Sequence, residues 1–191
     1  MDLIKILLLT VLVNNIILMR FIALCSYIGM TNDVGQSIGM GFAVTFVTVL
    51  ATAATWPLYH FMLVPLNLTF LRILIFILVI ASLVQLVEFY LKKNIPGLYS
   101  AMGIYLPLIT TNCAILAVTF ENIDNGYTFI QSIVYAIGVS AGYLLAMILL
   151  AGVRSRMRTS PVPKFLQGTP ILFIATSLIG MAFMGFAGLI K

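Results

Sequence analysis

The apolar pattern of the chain is interrupted at Leu106-Pro107-Leu108-Ile109-Thr110-Thr111-Asn112-Cys113-Ala114. A proline, two threonines, an asparagine and one of only two cysteines lie here, inside a segment long enough to cross a bilayer. Irregular polar backbone persists in hydrocarbon only where it is buried in protein or lines a cavity, because each unsatisfied backbone group is costly there. The stretch therefore predicts a broken transmembrane helix that holds something at the break.

The composition excludes a soluble protein. The 191 residues are 62% hydrophobic and 8% charged, with a mean hydropathy of +1.17, whereas a soluble domain has about 25% charged residues. The net charge of +5 is explained by basic loops that orient membrane helices, so we expect no nucleic-acid partner. Two cysteines and one histidine are too few for a disulfide framework or for a metal cage built from this chain alone.

Six apolar segments of about 20 residues predict six membrane-spanning helices. They cover residues 3–24, 38–59, 68–90, 98–120, 129–153 and 170–190. Because they occupy nearly the whole sequence, we expect residues 1–191 to form one all-α integral membrane domain. The glycines and alanines of spans two and five are typical of helices that pack closely.

The first span also carries polar residues that are costly in lipid unless they meet partners. Asn14 and Asn15 lie near its middle, and Arg20 and Cys25 follow. We therefore expect spans one and four to be the broken ones.

Other polar residues have simpler interpretations. The run Trp56-Pro57-Leu58-Tyr59-His60 is typical of an aromatic anchor at the membrane interface, and a lone His60 lacks fellow metal ligands. Glu88 lies near the end of span three, where a charged side chain can reach the interface, and an ion-binding role stays open. Residues 121–126, with the sequence Glu-Asn-Ile-Asp-Asn-Gly, predict an acidic loop.

The basic residues predict the orientation. The connections between spans one and two, three and four, and five and six share one side and contain Lys92, Lys93, Arg154, Arg156, Arg158 and Lys164. Since cytoplasmic loops carry an excess of Lys and Arg, this side should face the cytoplasm. Both termini and the acidic loop should then face the outer side.

A short repeat suggests two related halves. Gln36-Ser37-Ile38 recurs as Gln131-Ser132-Ile133 at the start of span five, and each half contributes one cysteine, in spans one and four. Halves of three spans, approximately residues 1–94 and 95–191, would insert with opposite orientations. Inverted repeats of this kind place their sites near the midplane, on discontinuous helices.

The residues alone leave several roles open for the two cysteines. A lone buried cysteine is commonly an inert apolar filler. A disulfide would not explain the polar surroundings, and a redox dithiol is expected in a C-x-x-C motif at an exposed site. Half of an iron–sulfur site would require two more thiolates from a second subunit, together with hydrogen-bond donors around the anionic centre.

Several motifs, taken together, resemble a known family. Val13-Asn14-Asn15, Leu24-Cys25, residues 106–114 and Ala182-Phe183-Met184-Gly185-Phe186 are similar to the A subunit of Rnf electron-transport complexes and to the E subunit of the sodium-pumping NADH:quinone reductase. The resemblance covers essentially the whole chain and is closer to the Rnf subunit.

The resemblance implies a redox-driven ion translocase of the bacterial cytoplasmic (inner) membrane, a ferredoxin:NAD oxidoreductase in which this chain is not catalytic alone. Cys25 and Cys113 would ligate a [2Fe-2S] cluster shared with a homologous six-span E-type subunit inserted the other way up. Asn14, Asn15, Thr110, Thr111 and Asn112 would form the cluster environment.

Other subunits would carry flavin and iron–sulfur centres, and electron transfer would be coupled to movement of Na⁺ or H⁺. A secondary transporter or channel without a redox role is the alternative, and a structural assembly subunit is a third possibility.

Overall fold

The computed structural model describes residues 3–65, 69–94, 109, 111–158, 163 and 165–185, and this part of the chain is helical without strands. The all-α class predicted from composition is confirmed for it. Thr110 and the first part of predicted span four lie outside the described residues, as does the end of predicted span six.

Eight α-helices are described, three of them extended by short turns of other helix types. They are α1 (Leu3–Leu8, continued by the π-helical turn Leu9–Val13), α2 (Ile16–Arg20), α3 (Leu24–Met30), α4 (Val34–Leu58, continued by the π-helical turn Tyr59–Leu63), α5 (Arg72–Asn94, preceded by the 3₁₀ turn Thr69–Leu71), α6 (Cys113–Asp124), α7 (Phe129–Met157) and α8 (Thr169–Met184).

Three described segments are long and apolar enough to cross a membrane: Val34–Leu63, Arg72–Phe89 and Phe129–Met157. They correspond to predicted spans two, three and five. Helix α8 is apolar but shorter and corresponds to predicted span six. The described residues thus contain three helices long and apolar enough to cross a membrane, at the predicted places.

Helices α4 and α7 pack against each other at the centre of the structure. Gly41 of α4 lies directly against the side chain of Leu144 on α7. Val44 on α4, and Met147 and Leu150 on α7, are almost completely buried. Small residues let two membrane helices approach closely, which explains why these two spans are rich in glycine and alanine.

The first span is divided more finely than predicted. Helical structure stops at Val13 and restarts at Ile16, so the break at Asn14 and Asn15 lies where the sequence predicts it. At Leu24, the predicted end of the span, another helix, α3, begins and continues to Met30.

A second break, which the sequence did not predict, separates α2 from α3. Phe21 and Ala23 have φ angles of 55° and 68°, in the left-handed region that costs an L-residue about 1–2 kcal/mol. Neither residue is of a type that favours such a turn.

The predicted acidic loop at residues 121–126 is only partly a loop. Helix α6 continues through Glu121 to Asp124, and the Glu121 side chain is only 16% exposed. It pairs with Arg20 and accepts a hydrogen bond from the hydroxyl of Tyr135. These partners explain why a carboxylate that looks solvated in the sequence is packed inside the helix assembly.

Two contacts bring the α4–α5 and α6–α7 connections to the same end of the structure. Trp56 Nε1 donates to the carbonyl oxygen of Tyr127 at 3.0 Å, and Arg72 pairs with Asp124 at 2.7 Å. His60 stacks on Trp56 with ring centroids 4.3 Å apart. The aromatic cluster predicted as an interfacial anchor therefore lies beside an ion pair at one end of the helices.

The basic end of α7 lies at the α3–α4 turn. Arg154 donates to the carbonyl oxygen of Ile28 at 3.1 Å, and Arg158 donates to that of Asn32 at 3.3 Å. The connection between predicted spans one and two therefore meets the basic end of predicted span five.

Candidate functional site

The break before α6 is formed by Asn112. Its side chain is buried, and its Oδ1 accepts a hydrogen bond from the backbone N–H of Ala114 at 3.1 Å. Asparagine is among the preferred residues at this position because it satisfies a backbone donor that has no partner within the helix. Cys113 is the first residue of α6 and lies at the positive end of the helix dipole.

The break before α2 has a similar cap. Asn15 is completely buried, and its Oδ1 accepts from the backbone N–H groups of Ile17 and Leu18 at 3.2 and 3.4 Å. Its Nδ2 donates to the carbonyl oxygen of Gly142 on α7 at 2.8 Å. A Cβ on Gly142 would lie 3.2 Å from this Nδ2, so a glycine there lets the cap approach α7 closely.

The second break in span one brings the two broken regions together. The backbone N–H of Ala23 donates to Cys113 Sγ at 3.0 Å. The carbonyl oxygen of Ala23 accepts from Ser26 Oγ at 3.1 Å and from the backbone N–H of Tyr27 at 3.0 Å. A residue in a sparsely populated conformation persists only when its surroundings hold it, and here both backbone polar groups of Ala23 are engaged.

The two cysteines meet at this place. Cys25 is the second residue of α3, and its side chain interacts with that of Cys113. Both thiols are free and exposed. Two thiols from distant parts of the sequence therefore form a pair on the surface of the chain.

The other predicted site residues have different positions. Asn15 and Asn112 act as helix caps and are buried, whereas Asn14 and Thr111 are exposed at the two breaks. The predicted role of Thr110 falls outside the described residues. The structure thus brings the cysteines together and assigns the two buried asparagines a structural task at the ends of broken helices.

Sequence reasoning missed several residues around the thiols. Tyr143 on α7 is 1% exposed, and its hydroxyl donates to Ser26 Oγ at 2.9 Å. A buried tyrosine hydroxyl usually needs a hydrogen-bond partner, so a tyrosine in the middle of an apolar span was an available signal. The roles of Ala23 and Ser26 carried no comparable signal, because each depends on contacts far along the chain.

The thiol pair has part of the chemistry that the iron–sulfur cluster implied by the resemblance requires. Among the described residues, no group of three or more His, Cys, Asp and Glu side chains could hold a metal ion. The thiols of Cys25 and Cys113 are soft ligands of the type that such clusters use, and they supply two of the four usually needed. Their exposure and the N–H of Ala23 fit a half-site that a second chain completes.

Comparisons with known proteins agree on one family. The family model described as "Rnf-Nqr subunit, membrane protein" matches residues 3–190. The chain is 50% identical to the A subunit of the "Ion-translocating oxidoreductase complex" of Syntrophotalea carbinolica, over 99% of this chain and 98% of that protein.

Two further relatives carry more specific names. One is the A subunit of the "Na(+)-translocating ferredoxin:NAD(+) oxidoreductase complex" of Acetobacterium woodii, 48% identical over 99% of this chain and 98% of that protein. The other is the A subunit of the "Proton-translocating ferredoxin:NAD(+) oxidoreductase complex" of Clostridium ljungdahlii, 46% identical over 95% of this chain and 94% of that protein. The family match along nearly its whole length shows that this chain is a member of the Rnf-Nqr family of membrane subunits.

Proposed function

We propose that the chain is the A-type membrane subunit of an ion-translocating ferredoxin:NAD oxidoreductase. In this proposal Cys25 and Cys113 ligate a [2Fe-2S] cluster together with two cysteines of a homologous E-type subunit, and electrons cross the membrane through it. The observation that supports it most directly is that these two exposed thiols, far apart in sequence, meet where broken helices converge.

The surroundings of the thiols suit an anionic redox centre. The cluster, when bound, supplies one-electron transfer. The chain contributes a backbone donor from Ala23 at 3.0 Å from Cys113 Sγ and the first turn of α6, where the helix dipole favours negative charge. Hydrogen bonds to sulfur and helix dipoles are ways in which a protein tunes such a centre.

The proposal extends to topology and coupling. Six spans in two inverted halves, with both termini on the outer side of a bacterial inner membrane, would place the thiol pair near the midplane. Electron transfer would drive Na⁺ or H⁺ movement. Relatives of nearly equal similarity are named for each of the two ions, so the choice between them depends on features other than overall sequence identity.

Glu121 is the observation that favours the alternative, an ion transporter without a redox role. Intramembrane carboxylates often mark ion pathways, and this one is largely buried in α6. Its charge is, however, compensated by Arg20, and Tyr135 donates to it. A transporter would move Na⁺ or H⁺ into proteoliposomes without any electron donor, whereas the proposed subunit would move ions only when a donor is supplied.

The experiment is co-expression of the chain with an E-type subunit, followed by iron analysis and EPR spectroscopy of the reduced pair. We expect a two-iron signal that disappears in Cys25→Ser and in Cys113→Ala. Ser82→Ala, an exposed position on α5 whose hydroxyl bonds within its own helix, is the control and should keep the signal. An unchanged signal in Cys113→Ala would refute the ligand assignment.

A second measurement separates a redox role from an assembly role. The double variant Cys25→Ser/Cys113→Ser is introduced into the whole complex, and ferredoxin-dependent reduction of NAD⁺ is followed in membranes. We expect the complex to assemble and electron flow to stop. Electron flow at the wild-type rate would instead identify a structural assembly role.

A further inference from the structure

Tyr143 lies behind the two thiols, on the buried side of the site. Besides donating to Ser26 Oγ at 2.9 Å, it lies near both cysteines. Ser26 directly follows Cys25. A single side chain of α7 is therefore bonded to the residue next to one thiol of the pair.

A chain of hydrogen bonds leads from Tyr143 to the Cys113 sulfur. Ser26 Oγ accepts from Tyr143 and donates to the carbonyl oxygen of Ala23 at 3.1 Å. The N–H of the same Ala23 donates to Cys113 Sγ at 3.0 Å. Ala23 has a φ of 68°, so the bonds at its two backbone polar groups offset a conformational cost.

We propose that Tyr143 is a positioning residue for the thiol pair: its hydroxyl fixes Ser26, which holds Ala23 so that the Ala23 N–H points at the Cys113 sulfur. As far as the cluster is concerned, this inference rests on the proposed function. Tyr143 is not a ligand and contacts no iron in this assignment. It acts from α7, an element that carries neither cysteine.

The assignment has a measurable electronic consequence. A hydrogen bond to a cluster sulfur lowers the cost of negative charge, and the reduced cluster carries one negative charge more than the oxidised one. The bond therefore stabilises the reduced form more, and hydrogen bonds to sulfur are among the determinants of the potential. Weakening the hydrogen bond from the Ala23 N–H to Cys113 Sγ should therefore shift the midpoint potential of the cluster to a more negative value.

The first test uses Tyr143→Phe in the co-expressed pair of subunits, since this change removes the hydroxyl and keeps the ring. We expect the iron content to stay at the wild-type level, the midpoint potential to become more negative and the EPR g values to change. Ser26→Ala should shift the potential in the same direction. The double variant should shift it no further than the larger single variant, because both residues act through the same chain of bonds.

Tyr135→Phe is the matched control. Tyr135 is on the same helix and is also buried, but its hydroxyl donates to Glu121 rather than to Ser26. It should leave the potential and the g values unchanged. Equal shifts from both tyrosine variants would overturn the proposal, because the effect would then be a general response to losing a buried hydroxyl.

The second test needs no cluster. Iron is first removed from the assembled complex, and the thiols of Cys25 and Cys113 are bridged with a short bifunctional thiol reagent. The measured quantity is the ratio of the rate of bridging to the rate at which a monofunctional reagent labels the same thiols. Tyr143→Phe should lower this ratio about fivefold, the factor that one typical hydrogen bond supports. Tyr135→Phe should not lower it.

The outcomes distinguish the two proposals. Wild-type potential and wild-type bridging in Tyr143→Phe would refute the positioning role and leave the cluster assignment intact. Retention of the cluster in the cysteine variants would refute the proposed function, and the bridging ratio would still test Tyr143. If Tyr143→Phe does not assemble, Ser26→Ala tests the same bonds, and wild-type potential and bridging in it would refute the proposal.

Discussion

Substitution of Asn15 is the strongest test of how this chain stabilises the helix break before α2. Its side chain accepts two backbone N–H groups of α2 and donates to the carbonyl oxygen of Gly142. Loss of an asparagine cap costs about 1 kcal/mol, and loss of a typical hydrogen bond costs about 1 kcal/mol more. Asn15→Ala should therefore lower the free energy of unfolding by about 2 kcal/mol, or about thirtyfold in the ratio of folded to unfolded protein.

Asn15→Asp separates the two contributions. Aspartate keeps the oxygen that caps α2, but it replaces the donor nitrogen that lies 2.8 Å from the Gly142 carbonyl oxygen. Two acceptors then face each other in a buried place, and a buried charge without a partner is costly. We expect Asn15→Asp to be at least as unstable as Asn15→Ala, although its cap is intact.

The assay is a denaturing-detergent titration of the purified complex in mixed micelles, followed by helical circular dichroism and by retention of the chain in the complex. Asn32→Ala is the control, because the Asn32 side chain is exposed and bonds only locally, to the carbonyl oxygen of Gly29 at 3.3 Å. Its effect should stay within about 0.5 kcal/mol. A wild-type midpoint for Asn15→Asp would refute the reasoning about the Gly142 contact.

Two further predictions concern packing around the breaks. Gly142→Ala should destabilise the chain by about 1–3 kcal/mol, because its Cβ would lie 3.2 Å from Asn15 Nδ2. Gly152→Ala is the control: with no atom within 4 Å of its Cβ, it should be neutral or stabilise α7 by up to about 1 kcal/mol. Thermal midpoints that shift equally in the two variants would contradict the predicted crowding at Gly142. Arg20→Gln and Glu121→Gln should show a coupling of about 0.5–3 kcal/mol in a double-mutant cycle, and additive changes in unfolding free energy would show that the ion pair does not link α2 to α6.

Hydropathy and polar residues were sufficient to predict much of the fold. Long apolar segments gave the helices α4, α5 and α7 within a few residues, because a bilayer imposes a minimum length on any helix that crosses it. Asparagines in apolar surroundings predicted the breaks before α2 and α6, because a broken helix needs a side chain that satisfies backbone donors. These features follow from local chemistry and are visible in the sequence.

The features that the sequence did not reveal depend on distant partners. The turn at Phe21 and Ala23 involves no glycine or proline, and it is held by bonds to Ser26 and Cys113. Glu121 was expected in a loop because Asn, Asp and Gly follow it, whereas its partner Arg20 lies in the other half of the chain. Such contacts exist only in the folded protein, so local composition could not predict them.

The chain separates the residues that fold the site from those that would bind a centre. Asn15 and Asn112 use their side chains as helix caps and are buried, so the broken ends are satisfied from within the chain. The thiols of Cys25 and Cys113 are exposed and contribute little buried apolar surface. Since surface substitutions usually change stability by less than about 0.5 kcal/mol, cysteine variants should stay closer to the wild-type unfolding free energy than cap variants, which lose about 2 kcal/mol. A loss of electron transfer in cysteine variants can then be assigned to ligation rather than to unfolding.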